Sequence, residues 1–569
     1  MRRHAHLLGT AALLAGTASF ALARAPDTHG AVFSVSPPTT VSLAALAAAA
    51  RGPDRAPALL PMPPHRFPDG SVTRAPWSEL PVIARSNVDV VDAQPRLTNP
   101  PATVGGFTGL TDGTTSAAVG GESEPPDQGL AVNNGQVVEI INNAIQIFDA
   151  TGKALTQPLS NYKFFAVPTG NNLTDPHAVY DPVAKRWYVE ELEYGSTFYG
   201  FAVAASTTAN PLGTYHVFHV SAQTQAIPQC GGSCLPDYPQ VGFDASGFYI
   251  GADLFSNTTN KFITGAIYAL PKANLASGAA FSYALFTSPD FVIQPAIPAP
   301  GTPFVKTNGG TEYIMSARNL SDSSSNLRVF AMVNTAKLPT SPASLVLRSV
   351  DVAAETYAGT VPSTQPNVVG PYGKSVGAKS APKLDGGYDG LGGGVKYANG
   401  QLYTALTSGS KDSAGLKRDV IAWFVVKPAQ TATDVTATIT AQGYVTPPTG
   451  SSLSYPGMAI DKIGNGIIGA TLVGKTAPGG FPSTGFVELL SNALAGTFTV
   501  TGKGNTSDDG FSGYGTGGVA GIGRWGDYAS AAVDPTTGYY WAGNEYIPDA
   551  ATFPRGASAN WGTFITKVH

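Results

Sequence analysis

Residues 130–140, LAVNNGQVVEI, set two apolar strands around an Asn-Asn-Gly turn, and this unit returns along the chain. It recurs as AVYDPVAKRWYVEEL from 178, VGFDASGFYIGADL from 241, FVKTNGGTEYIMSA from 304, VKYANGQLYTALT from 395, MAIDKIGNGIIGATL from 458 and AAVDPTTGYYWAGNEY from 531. Each is a β-hairpin signature, because Asn, Asp and Gly tolerate the positive φ that tight hairpin turns require. Most units continue into two further strand-like runs, such as FYGFAVAAS and TYHVFHVS within 198–221. With turn residues at 133, 181, 244, 308, 399, 461 and 534, the spacings run from 48 to 73, with one of 91. Four strands repeated seven times predict an all-β, seven-bladed β-propeller with four-stranded blades over 105–569. A β-helix repeats at shorter intervals, and paired sandwiches would not give one hairpin type seven times. The long spacing falls across 340–390 and reads as an insertion. The last blade, ending in WGTFITKV at 561–568, is expected to borrow its outer strand from 80–110.

Composition agrees. Of 569 residues, 66 are Gly and 45 Pro while only 13% are charged, which argues against a mostly helical chain. The balance of 34 Lys and Arg against 38 Asp and Glu leaves no reserve of positive charge for neutralising phosphates, so no nucleic-acid partner is expected. Residues 1–25 have a basic start at Arg2 and Arg3, a short apolar run and small residues at Ala21, Ala23 and Ala25. They read as a signal peptide, predicting a protein secreted to the periplasm or the medium. No later run is long enough for a membrane span, and a monomer is expected. Residues 26–104 are rich in Ala and Pro and read as a spacer or pro-segment. Outside the cytoplasm the close pair Cys230 and Cys234 is expected to form a disulfide.

EPPDQGLAVNNGQVVEIINNAIQIFDATGKAL at 124–155, LTDPHAVYDPVAKRWYV at 173–189, PDYPQVGFDASGFYI at 236–250 and RWGDYASAAVDPTTGYYWAGNEY at 524–546 carry a resemblance. Over roughly 110–569 the chain resembles a group of uncharacterised secreted bacterial β-propeller proteins, distantly sialidase-like. The resemblance implies fold and export, and no reaction. The FRIP-like arginine motif and the S-x-D-x-G-x-T-W boxes of sialidases are absent.

In a propeller the residues just before the innermost strands crowd one channel mouth. Here they are Asp127, Asp175, Asp237, Asp389 and Asp527, with Tyr528 beside the last and Gln294 and Tyr455 in the other two units. Converging carboxylates need a cation, a proton or hydrogen-bond donors between them, and hard oxygen ligands suit Ca²⁺. The register is uneven: Asp127 and Asp175 stand six places before their turn residue, Asp237 and Asp527 seven. One place turns a strand residue to the other face. The competing reading makes each Asp a strand or turn cap.

These residues predict a binding module for a glycan, a cell-surface component or a partner protein. The alternative is an extracellular glycosidase-type hydrolase using paired carboxylates. Its candidates are Glu190, Glu191 and Glu193 with Arg186, Trp187 and Tyr194, and Arg524, Trp525, Asp527, Asn544, Glu545 and Tyr546 in the last unit. A scaffold reading instead packs Trp187, Trp525 and Trp541 between blades and pairs Arg186 and Arg524 with acids. His216 and His219, three apart on a strand, face opposite sides. GKSVG at 373–377 and GTGGVA at 515–520 match nucleophile-elbow and dinucleotide patterns, but without the strand and helix context those need.

Overall fold

The computed structural model describes residues 27–49, 59–61, 63, 69, 71, 80–83, 89–92 and 104–569, apart from 197, 318–322, 388–389, 476–479 and 495. The expected signal peptide lies outside the described residues. The fold is all-β, with short helical turns between strands, and no described helix is long and apolar enough to cross a membrane.

Seven antiparallel meanders follow one another along the described chain, each running from an inner strand outward. The inner strands are Gly129–Asn133, Asn171–Asp181, Cys234–Phe243, Ile293–Pro298, Val395–Ala398, Ser451–Ile460 and Ser530–Val533. Each touches the next, and the seventh touches the first, so the inner strands close a ring. The last meander takes its outer strand from Val104–Thr111, which pairs antiparallel with Gly562–Val568. The last meander is thereby completed by the strand that precedes the first.

Packing between neighbours follows from strands that are apolar on both faces. Each adjacent pair of meanders shares its own buried cluster. Trp187 and Tyr215 of the second pack with Val138 and Ile147 of the first, while Trp541 and Ile565 of the seventh pack with Leu130 and Phe148 of the first. Tyr249 and Ile267 of the third meet Phe330 and Met332 of the fourth. Some contacts are too close for any side chain. A Cβ at Gly251 would stand 2.0 Å from the Ile293 carbonyl oxygen, where the fourth inner strand crosses the third meander. Gly251→Ala is expected to lower stability by about 1–3 kcal/mol, because it pushes backbone rather than a yielding side chain. Denaturant unfolding checks this, and an unchanged midpoint would mean the two meanders are not held in register there.

The recurring Asp of the hairpins is a turn-former. Asp181 Oδ1 accepts from the N–H groups of Val183 and Ala184 at 2.8 and 3.0 Å. Asp244, Asp461 and Asp534 repeat the device. Asp534 also accepts from Asn134 and Gly135 of the first hairpin, at 3.0 and 2.8 Å, tying the seventh meander to the first.

Two stretches differ from the sequence expectation. Residues 340–390 are not simply an insertion: Val346–Ala358 is the outer strand of the fourth meander, and the loop proper begins after it. The 26–104 stretch, read as a spacer, supplies edge strands. Thr39–Ser42, Ala31–Val35 and Thr28–His29 extend the second, third and fourth meanders antiparallel, and Asp89–Asp92 joins the sixth in parallel. These strands have little core of their own, so their register comes from the exposed edges they cover. Cys230 and Cys234 form a disulfide, with an S–S distance of 2.05 Å.

Candidate functional site at the axis

At five of the inner strands the backbone takes the same unusual turn, just before the strand in the first and fourth meanders and within it in the second, third and sixth. Asp127, Asp175, Tyr238, Val292 and Tyr455 have φ between 51° and 62°. Asp175, Tyr238 and Tyr455 each precede a Pro and, with it, form a β-bulge. Left-handed Tyr and Val cost about 1–3 kcal/mol each, so packing at the axis must hold them there. Counting back six places from the turn Asp gives Asp175, Tyr238, Tyr455 and Tyr528. Tyr238 therefore holds the place equivalent to Asp175, while Asp237 stands one earlier, across the ladder from Asp253. Asp389 lies outside the described residues.

Three of the expected acids come together. Asp127 Oδ1 accepts from the Asp527 N–H at 2.7 Å and Oδ2 from Asn142 Nδ2 at 2.7 Å. Asp175 Oδ1 accepts from Thr174 Oγ1 at 2.7 Å, and Oδ2 from the Tyr238 N–H at 3.2 Å and the Tyr528 hydroxyl at 2.9 Å. Asp527 takes the Arg524 guanidinium at 2.5 Å, and Arg524 also donates to the Pro63 carbonyl at 2.6 Å. Tyr238 and Tyr528 stack with ring centroids 4.7 Å apart, and the Tyr238 hydroxyl donates to the Asp527 carbonyl at 3.1 Å.

All of these side chains are buried, and burial is the main influence on the titration of Asp127, Asp175, Tyr238 and Tyr528. It pushes Asp127 well above the usual carboxylate range, with the charges of Asp527 and Asp175 adding to the effect. Asp175 rises to about 6 from burial and then from Asp527. Burial alone would lower Arg524, but Asp527, Asp127 and Asp175 outweigh it and hold the guanidinium above its ordinary value. Arg524 is thus the shared counter-charge of the cluster. Among the described residues no three His, Cys, Asp or Glu side chains are grouped to hold a metal ion.

Below the stacked tyrosines lies a cavity of about 90 Å³. Its wall runs from His177 and Tyr528 to Tyr180, Pro300 and Val533, with contributions from every meander. Its polar side chains include Gln240, Gln294, Lys396 and Ser530. Gln294 is buried with neither amide atom hydrogen-bonded, and Gln240 Nε2 is likewise unpartnered. His177 Nε2 donates to the Pro239 carbonyl at 2.7 Å, which fixes Nε2 as the protonated nitrogen, and the ring packs edge-on to Tyr528 at 4.8 Å. Burial lowers His177 to about 4.

The other sequence candidates lie in the walls. Glu190 and Glu191 are fully buried, Glu190 with no hydrogen-bonded oxygen and Glu191 beside the Asn161 side chain, and burial raises both well above the usual range. Glu193 accepts from Asn171 at 2.6 Å and contacts His219, while His216 meets Thr40 at 3.5 Å on another face. Trp187 donates to the Ala209 carbonyl at 2.9 Å and Trp525 to Thr471 Oγ1 at 3.2 Å. Arg186 bonds the Lys185 carbonyl at 3.0 Å, whereas Arg524 has its acid. Glu545 accepts from the Gly526 N–H at 2.6 Å, holding the turn that presents Asp527.

No family model matches the chain, and no curated protein does. Solved structures that align with it include an exo-β-1,3-galactanase from Clostridium thermocellum, at 11% identity over 82% of this chain and 99% of that one, with a TM-score of 0.29. A polysaccharide lyase of family PL25, an ulvan lyase, aligns at 8% identity over 81% and 93%, with a TM-score of 0.34. The endosialidase of phage phi92 aligns at 9% over 85% and 75%, with a TM-score of 0.30. Superpositions this loose carry no argument about reaction or ligand.

Proposed function

We propose that the chain is an exported, seven-bladed β-propeller that acts as a binding module for a glycan, with the ligand received in the axial cavity. The observation that carries this reading is the set of buried amide groups, Gln294 and Gln240 Nε2, that face one cavity without partners. Buried amides left unpaired are costly, and a hydroxyl-bearing ligand supplies both donors and acceptors to satisfy them. Binding is favoured over glycoside hydrolysis because every oxygen of Asp127 and Asp175 already accepts a hydrogen bond from the protein, while the buried Glu190 and Glu191 do not line the cavity. A glycosidase needs one carboxyl free to reach the glycosidic oxygen and another to reach the anomeric carbon or its water.

A glycan array combined with a broad hydrolase panel tests the reading. Binding without turnover is expected, with Gln294→Ala weakening it by about tenfold, the loss typical of one or two ligand hydrogen bonds. Turnover abolished by Asp175→Asn would establish the hydrolase instead. Calcium is settled on the same sample. With Arg524 and the surrounding donors balancing the acids, EDTA is expected to leave the melting temperature unchanged, and a chelator-sensitive stoichiometric ion would place calcium among Asp127, Asp175 and Asp527.

A further inference from the structure

Lys396 lies on the fifth inner strand, paired with Ile297 on one side and Tyr403 on the other, and its side chain lines the axial cavity. Only 9% of it is exposed. Among the described residues it has no ion pair, and no Asp or Glu lines the cavity with it. The other groups there are neutral: the amides of Gln240 and Gln294, the Ser530 hydroxyl, and His177, which burial keeps uncharged near neutral pH. The remaining wall is Leu, Ile, Val, Ala, Pro, Gly and tyrosine ring. A buried ammonium without an acid is expensive, and proteins pair such charges or use them.

From this placement we infer that the cavity is an anion site, in which Lys396 takes the carboxylate of an acidic sugar while Gln240 and Gln294 bond its flanking oxygens. One cation matches one negative charge, which suits a carboxylate better than a phosphate dianion. A cavity of about 90 Å³ holds several waters, so it accepts a carboxylate and the adjoining edge of a ring while the rest of the saccharide stays outside. The apolar wall and the Tyr528 ring give the ring edge its contact surface. The inference rests on the glycan reading above and narrows it to uronate-type ligands.

Calorimetric titration of the whole protein with glucuronate, glucose, acetate and inorganic phosphate tests it, with Lys396→Met and Lys396→Arg as variants. Glucuronate is expected to bind at least about tenfold tighter than glucose, Lys396→Met to lose that margin, and Lys396→Arg to retain part of it. Lys396→Met should fold and melt no lower than wild type, because it removes an unpaired buried charge. Equal binding of glucose and glucuronate, both indifferent to Lys396→Met, would overturn the anion site and leave the glycan reading standing. Lys396-dependent binding of acetate or phosphate with no sugar bound would keep the anion site and overturn the glycan reading. If none of the four binds, both fail.

Discussion

Arg524→Met is expected to destabilise the protein by about 3–5 kcal/mol near pH 8, the range found when one partner is removed from a buried ion pair. The Met side chain keeps most of the volume, so the loss is electrostatic. Three carboxylates, Asp127, Asp175 and Asp527, raise the Arg524 pKa together, so one guanidinium balances all three. Removing it also orphans the Pro63 carbonyl, which accepts from Arg524 at 2.6 Å and anchors the amino-terminal stretch above the axis. Without Arg524 the acids escape the penalty only by taking up protons. The deficit should therefore shrink between pH 8 and pH 5, a trend that a steric defect would not show. Chemical denaturation of both proteins at the two pH values measures it. A variant as stable as wild type at pH 8 would mean that the acids are already protonated there and that Arg524 is not their counter-charge.

The same cluster shows where the sequence was legible and where it stopped being so. The Asn-Gly and Asp turns spell out the hairpins because positive φ and side-chain capping are local demands, met at Asn134, Gly135, Asn399 and Gly400 and by the turn aspartates. The outer strand sought in 80–110 could be anticipated because ring closure requires one, and Val104–Thr111 supplies it. The edge strands of 28–42 could not, since their pairing is decided by which sheet edges a distant part of the chain leaves uncovered. At the axis, counting places before the turn was enough to separate Asp175 from Asp237, and it would also have found Tyr238. The same count, four places back, gives His177, Gln240 and Ser530, which line the cavity. Lys396 had no such sign. Its importance lies in the lack of an acid around it, which depends on the inner strands of all the other meanders.

Stability is expected to fall as pH rises from about 4.5 to 7, and Glu139 accounts for the best-defined part of that fall. It lies on the second strand of the first meander, fully buried, with Gln128 Nε2 and Thr563 Oγ1 at 2.5 Å and the Leu110 N–H at 2.9 Å. These bonds favour the carboxylate, yet burial outweighs them and lifts its pKa from 4.5 to about 7. A raised native pKa means the folded protein binds more protons than the unfolded chain within that window. Stability is therefore full below the unfolded value and is lost as pH climbs through the folded one. At 1.36 kcal/mol per unit the cost at pH 8 is about 3 kcal/mol for this residue alone. Asp175 and Asp508, raised to about 6 and about 7, act in the same direction, with burial the main cause in both. Glu139→Gln copies the protonated acid, so it should flatten the pH profile and gain up to about 3 kcal/mol at pH 8 while matching wild type near pH 4.5. Denaturation midpoints across pH 4.5–8.5 test this. A wild-type profile that is flat or rises through the window would show that the three donors hold Glu139 ionised in the folded protein.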